Sequence, residues 1–218
     1  MAGSGGSIKE LANRYNSLRN PVYRFGQDLT ALKKYVDAMN KNYWNGGSTA
    51  NKWYDAVKKA HKVDRNFYNK MLKVQYKLEK KLNNLAKSAG VNITVGKQSG
   101  SGINSEINLV VTSTDDIFID GDYILTYSKS VKTTLTNMCS ELKTMKSNLD
   151  ALVNNPKIKG KLRKTMQKLA NGVNKKYNKT NAAKNSLESS LSKSIAEYQE
   201  AMNSFDELDS MAEDLGND

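Results

Sequence analysis

His61, Cys139 and the carboxylates Asp115, Asp116, Asp120 and Asp122 are the side chains of this sequence best suited by type to do chemistry. A histidine offers a general base near neutral pH, and a cysteine offers a thiolate nucleophile once its pKa is lowered. Clustered carboxylates offer oxygen ligands to a hard cation such as calcium. The spacing argues against all three. His61 is the single histidine and follows a helical stretch beside Lys62, so it reads as a solvated or seam-edge histidine. Cys139 has no partner motif and no helix N-terminus to activate it, and reads as a small apolar filler beside Met138. The aspartates lack the loop spacing of a calcium hand; with Gly121 they read as a polar turn whose Asp122 caps the next helix. No phosphate-cradling glycine loop, zinc spacing or nucleophile elbow occurs. The chain is therefore expected to be non-enzymatic, with no catalytic residue, metal or cofactor.

What the residues do specify is helix. Apolar side chains recur in steps of three and four at Ile8, Leu11, Tyr15, Leu18, Val22, Phe25, Leu29, Leu32, Val36, Met39 and Tyr43, which is a heptad seam. After Trp44-Asn45-Gly46 and Gly47 the period resumes at Trp53, Val57 and Ala60, then from Phe67 to Leu85. The glycine turn is expected to fold two helices back on each other, over about 8–43 and 48–88, with Gly90 as the stop signal. Pro21 is expected either to start a new helix after Asn20 or to kink a continuous one; a lead helix at 8–19 and a main helix at 21–43 are favoured.

Residues 91–122 break the helical period. Val91 to Val95, Ile107 to Val111 and Ile117 to Ile119 are β-branched runs with Gly/Ser connectors, which predicts short strands and a hairpin across Gly100-Ser101-Gly102. Helical spacing returns from Ile124 to Leu152, breaks at Asn154-Asn155-Pro156, and runs on from Ile158 to Met211. The expected organisation is a flexible N-terminus at 1–7, a first helical hairpin at 8–90, a β-rich connector at 91–122, a second hairpin at 123–215 and a tail at 216–218. Two antiparallel hairpins that cover each other's apolar seams make an all-α, elongated four-helix bundle with a short β insertion. Folding both into one chain makes their pairing intramolecular, so a monomer is expected.

The net charge of +12 is uneven. Residues 1–90 hold 18 Lys/Arg against 6 Asp/Glu, whereas Phe205 to Asp218 hold six carboxylates and no base. A basic helical pair can bind nucleic-acid phosphates, but the lysines are spread along its length and read as a solvated face. Contact with a membrane surface through those lysines is a further reading. So is a membrane-inserting tongue at the β segment, against which its Asp and Asn residues argue. Only one cysteine is present, which excludes an intrachain disulfide.

A helical pair with Trp-x-Gly at its bend resembles the WXG superfamily of small type VII secretion substrates. Here the motif is Trp44-Asn45-Gly46, and the resemblance covers most of the chain as architecture. The second pair has Ile158-Lys159-Gly160 after its bend where tryptophan would stand, so the chain looks like two such partners fused in tandem. The resemblance implies a secreted or cell-surface protein without a cleaved signal peptide. It also implies recognition by the secretion motor ATPase or a co-secreted protein. In the family the bend acts together with a C-terminal Tyr-x-x-x-Asp/Glu segment. Trp44 and Gly46 are the matching bend residues. Four residues after Tyr198 stands Met202, so the nearest tail element is Phe205 to Asp209, with phenylalanine in place of tyrosine. Phe205 also reads as the last core residue of the fourth helix.

Overall fold

The structure, a computed structural model, describes the backbone of residues 3–110 and 118–216 and the side chains of 8–110 and 119–212. It is helical throughout except for an extended connector. Helix α1 spans Gly3–Ala38 and passes through one π-helical turn, Met39–Tyr43, into a two-residue strand β1, Trp44–Asn45. Helix α2 spans Gly47–Ser88, strand β2 Phe118–Ile119, helix α3 Gly121–Val153 and helix α4 Gly160–Gly216. Helix α1 packs on α2 and on α3, and α4 packs on α3 and on α2, which closes the four helices into a bundle.

The predicted seams form the core. Leu18, Val22, Phe25, Leu29, Leu32 and Val36 of α1 are buried, as are Val131, Leu135, Met138, Leu142, Met145 and Leu149 of α3. Burying each such side chain contributes roughly 1.5–3 kcal/mol, so the interhelical seam outweighs local helix propensity. Cys139 is a buried free thiol beside Met138, as its apolar neighbours suggested; burial pushes its pKa up to about 11.

Pro21 does not begin a helix. Helix α1 runs continuously from Gly3 through it, so the favoured division into 8–19 and 21–43 is corrected. Proline has no N–H for the carbonyl of Ser17 one turn back. That carbonyl instead accepts from Asn148 Nδ2 of α3 at 3.4 Å. The interruption is offset across an interface and the packing phase survives.

The β-rich connector is also corrected. No strand and no hairpin forms across 91–110; the segment is an extended strap lying along α1 and α2. An extended backbone must still satisfy its polar groups, and helix side chains do this in place of a neighbouring strand. Asn16 donates to the Thr94 carbonyl at 2.9 Å and accepts from Gly96 N at 2.8 Å. Asn69 exchanges the same pair of bonds with Ile103, both at 2.9 Å. Further along, Asp37 accepts from Asn108 N and Asn40 from Val110 N. Arg65 donates to the carbonyls of Asn104 and Ser105 and forms an ion pair with Glu106 at 2.6 Å. Alternate apolar residues of the strap face inward: Ile107 is buried, and Ile93, Val95, Ile103 and Leu109 pack partly buried on the core. Between Asn16 and Asn40 the strap follows about 36 Å of α1. It therefore carries the chain back to the bend, where β2 pairs antiparallel with β1 and Trp44 lies opposite Ile119.

Close approach beneath the strap depends on Gly26. A Cβ there would lie 2.4 Å from Tyr68 Cζ, and the Tyr68 hydroxyl donates to the Ser101 carbonyl of the strap. One missing side chain thus seats both a ring and the connector.

At the α1–α3 interface, burial and then the charge of Glu141 push the Asp28 carboxyl up to about 6. Because the folded-state pKa exceeds the unfolded value of 3.8, the folded protein holds this proton more tightly. The charged carboxylate is therefore destabilising above about pH 6, and the penalty fades as pH falls toward 4. The full shift corresponds to about 3 kcal/mol, reduced to about 1 kcal/mol by solvent at a half-buried site. Asp28→Asn is expected to raise the unfolding free energy from urea titration at pH 7.5 by that amount and to change it little at pH 4.

Candidate recognition site

The chain turns at Trp44-Asn45-Gly46. Trp44 is extended at φ −153°, and Gly46 then adopts φ 79°, a left-handed conformation that favours glycine, just ahead of α2. Asn45 Nδ2 donates to the Asn40 carbonyl across the bend at 3.2 Å. The Trp44 ring packs against Trp53 and Tyr54 with centroids 5.7 and 5.4 Å apart, and the Tyr54 hydroxyl donates to the Trp44 carbonyl at 2.7 Å. Trp53 Nε1 in turn donates to the Leu187 carbonyl of α4 at 3.0 Å. With 4% of its surface exposed, Trp44 is a core residue whose ring is not offered to solvent. Trp44 and Gly46 both line a cavity of about 310 Å³, walled on the other side by Ser194, Glu197, Tyr198 and Ala201 of α4. The bend motif and the last turns of α4 therefore share one end of the bundle.

Beyond this cavity α4 continues without cover. Every residue from Gln199 to Ala212 is exposed. Phe205 is 64% exposed, which corrects its reading as the last core residue; among the described residues Ile195 is the last buried apolar one of α4. Met202, Leu208 and Met211 are exposed with it, and Asp209 lies one turn past Phe205 on the same free stretch. Both tail residues singled out from the sequence are accessible, about one and about two turns past Ala201 of the bend cavity.

A second arrangement lies mid-bundle between α2 and α4, where the sequence pointed only to His61. That histidine is buried, not solvated: its Nε2 donates to the Leu29 carbonyl at 3.1 Å, and burial lowers its pKa and holds it neutral. Three residues on, buried Asp64 forms an ion pair with buried Lys176 of α4 and accepts from Thr180 Oγ1 at 2.9 Å. Burial pushes the Asp64 carboxyl up, and Lys176 opposes that push. A satisfied buried pair of this kind fixes alignment and offers no free group for catalysis. The sequence carried a trace of it only in α4, where the apolar spacing lapses between Tyr177 and Leu187; in α2 Val63 keeps the step between Ala60 and Phe67 and yet is exposed.

The expected cap of α3 moves by two residues: Asp120, not Asp122, accepts from Tyr123 N at 3.4 Å. Asp115 and Asp116 lie outside the described residues. Among the described residues no three His, Cys, Asp or Glu side chains gather to hold a metal ion, and no helix is long and apolar enough to cross a membrane. No family model, curated protein or solved structure matches this chain.

Proposed function

We propose that this chain acts by protein–protein recognition, as a tandem WXG-like substrate or partner of a type VII secretion machinery. On this reading it is exported without a cleaved signal and recognised by the motor ATPase or a co-secreted protein. The observation that carries the reading is the shared end: Gly46 lines a cavity with α4, and the free Phe205–Asp209 segment emerges beside it. A composite signal requires bend and tail to be near each other in the folded protein, and one continuous helix brings them there.

The two-hairpin architecture belongs to the same proposal. Along α1 and α2, Tyr15 meets Glu79, Phe25 meets Phe67 and Leu29 meets His61, so one number rises as the other falls. Along α3 and α4, Lys132 meets Ser192, and Leu152 shares a cavity with Met166. These contacts support two antiparallel hairpins clasped in one polypeptide, with the pairing of two secreted partners made intramolecular.

The test uses the exposed tail, since its residues can be changed without touching the core. Phe205→Ala combined with Asp209→Ala is expected to leave the unfolding free energy within about 0.5 kcal/mol of the parent. It is expected to lower export at least ~10-fold in a host with a type VII system, an assumed loss of about 1.4 kcal/mol in recognition. Truncation after Met202 should do the same. Unchanged secretion of both, with folded protein in the medium, would remove the assignment.

A further inference from the structure

Two surfaces of this molecule are opposite in charge and matched in length and apolar content but lie too far apart to meet. The first is the free part of α4. From Gln199 onward the sequence carries seven Asp/Glu and no Lys or Arg. Within it Met202, Phe205, Leu208 and Met211 recur at helical spacing, all exposed. The second is the outer face of α2 toward its C-terminus. Lys70, Lys73, Lys77, Lys80, Lys81 and Lys87 are all exposed there. The one carboxylate of that stretch, Glu79, is taken up by the Tyr15 hydroxyl and the Gln98 amide. Tyr76 and Leu85 are exposed among these lysines, 58% and 50% respectively. Each surface is about 27 Å of helix, 199–216 against 70–87.

They cannot close on each other within one molecule. The free segment leaves the bundle at the bend end, whereas Lys70 lies 23 residues along α2 from Gly47, about 35 Å away. Two free segments cannot pair with each other either, because both are purely acidic and like charges oppose contact. A basic, part-apolar helical face is the complement, and the chain itself presents one.

We propose that the acidic overhang of α4 docks on the lysine face of α2 of a second copy, so that folded molecules associate head to tail. The contact joins different patches on the two partners, and the pair is left with one free patch of each kind, so the association is open-ended. A single helix face buries less than a standard interface of about 1,600 Å², which places the contact in the weak, salt-sensitive class. Each copy is complete as a bundle without it. The inference uses the same tail as the export reading but does not rest on export, because it concerns the purified chain alone.

The experiment is a charge swap on the full chain, read by sedimentation equilibrium in low salt up to several hundred micromolar. The parent is expected to show a mass that rises with concentration, with association weakened at least ~10-fold at high salt through screening. Two variants follow. One carries Asp206→Lys, Glu207→Lys and Asp209→Lys; the other carries Lys73→Glu, Lys77→Glu and Lys81→Glu. All six positions are exposed, and circular dichroism checks that both variants fold. The first variant lowers the overhang from −7 to −1 and the second lowers the face from +5 to −1, so in each the attraction between overhang and face is lost and each alone should be monomeric. Mixed in equal amounts, they restore the parental charges across copies and should regain a complex. A monomeric parent in low salt, variants that still associate alone, or a mixture that stays monomeric would each overturn the proposal. A parent that is monomeric yet binds duplex DNA or anionic vesicles through the lysine face would assign that face to a phosphate-bearing partner and overturn it equally.

Discussion

Lys176→Met is expected to cost about 3–5 kcal/mol of folding stability, measured as a shift of the urea unfolding curve at pH 7.5. Lys176 and Asp64 are both buried at the α2–α4 interface, and among the described residues the other bond Asp64 receives is from Thr180. Removing the ammonium leaves a carboxylate deep in the bundle with one hydroxyl for company. The pH dependence has a definite sign. Burial already raises the Asp64 pKa, and without Lys176 nothing comparable opposes that push. The unpaired carboxyl will then take up a proton as pH falls, so the defect of the variant should shrink toward acid pH. Adding Asp64→Asn to Lys176→Met removes the buried charge while an amide can still bond Thr180. The double variant should recover to within about 1–2 kcal/mol of the parent, since a buried pair is rarely better than neutral groups that fill the same space. A single-variant loss below about 1 kcal/mol would mean that water reaches the pair.

That pair also shows why the chain was legible in part. The seams of α1 and α3 could be read residue by residue because their apolar spacing runs on in steps of three and four, even though Ser128 and Thr134 of α3 are buried beside it. In α2 exposed Val63 keeps the apolar step going while buried His61 and Asp64 lie off it, and in α4 the spacing lapses after Tyr177; a lapse alone says that the facing residues are polar, not which residues they face. Pairing His61, Asp64, Lys176 and Thr180 requires knowing that residues about 115 apart in sequence lie at one height of the bundle. Periodicity gives the face of a residue on its own helix and carries no information about its partner.

The strap and the overhang were misread for different physical reasons. The alternation of Ile93 with Val95 and of Ile107 with Leu109 is real and does place those side chains inward. A period of two reports an extended backbone, though, and is silent about what bonds to it. Here the bonds come from Asn16, Asn69, Asp37 and Asn40 on helices, so a strand-like segment exists with no sheet beside it. In α4 the apolar spacing continues to Met211, but α2 and α3 supply nothing to cover it beyond Tyr198. An amphipathic pattern states that a face is suited to burial, and whether another element reaches it depends on relative helix lengths. Helix α4 has 57 residues against 33 in α3, and that difference leaves Phe205 in solvent.

Trp44→Ala is expected to lose about 3–5 kcal/mol, because the ring is buried against Trp53 and Tyr54 and little around it can collapse into the space. Its backbone contributes as well: the Trp44 carbonyl accepts from Tyr54, and a loosened cage weakens that bond. Trp44→Phe should retain most of the stability, since an aromatic ring still fills the cage. The two probes of this transition are independent. Both tryptophans of the chain sit in the cage, so emission reports on the bend end alone, whereas far-ultraviolet circular dichroism reports on all four helices. Core side chains of α1, α2, α3 and α4 form one buried cluster that includes Trp44 and Trp53, and such a cluster unfolds as a unit. The two curves for Trp44→Ala should therefore move together to one lower midpoint. Separate midpoints, with emission changing before helicity, would show instead that the bend melts independently of the bundle. A secretion defect in Trp44→Ala follows from the stability loss alone, so this tryptophan cannot report on recognition in the way the exposed Phe205 and Asp209 can.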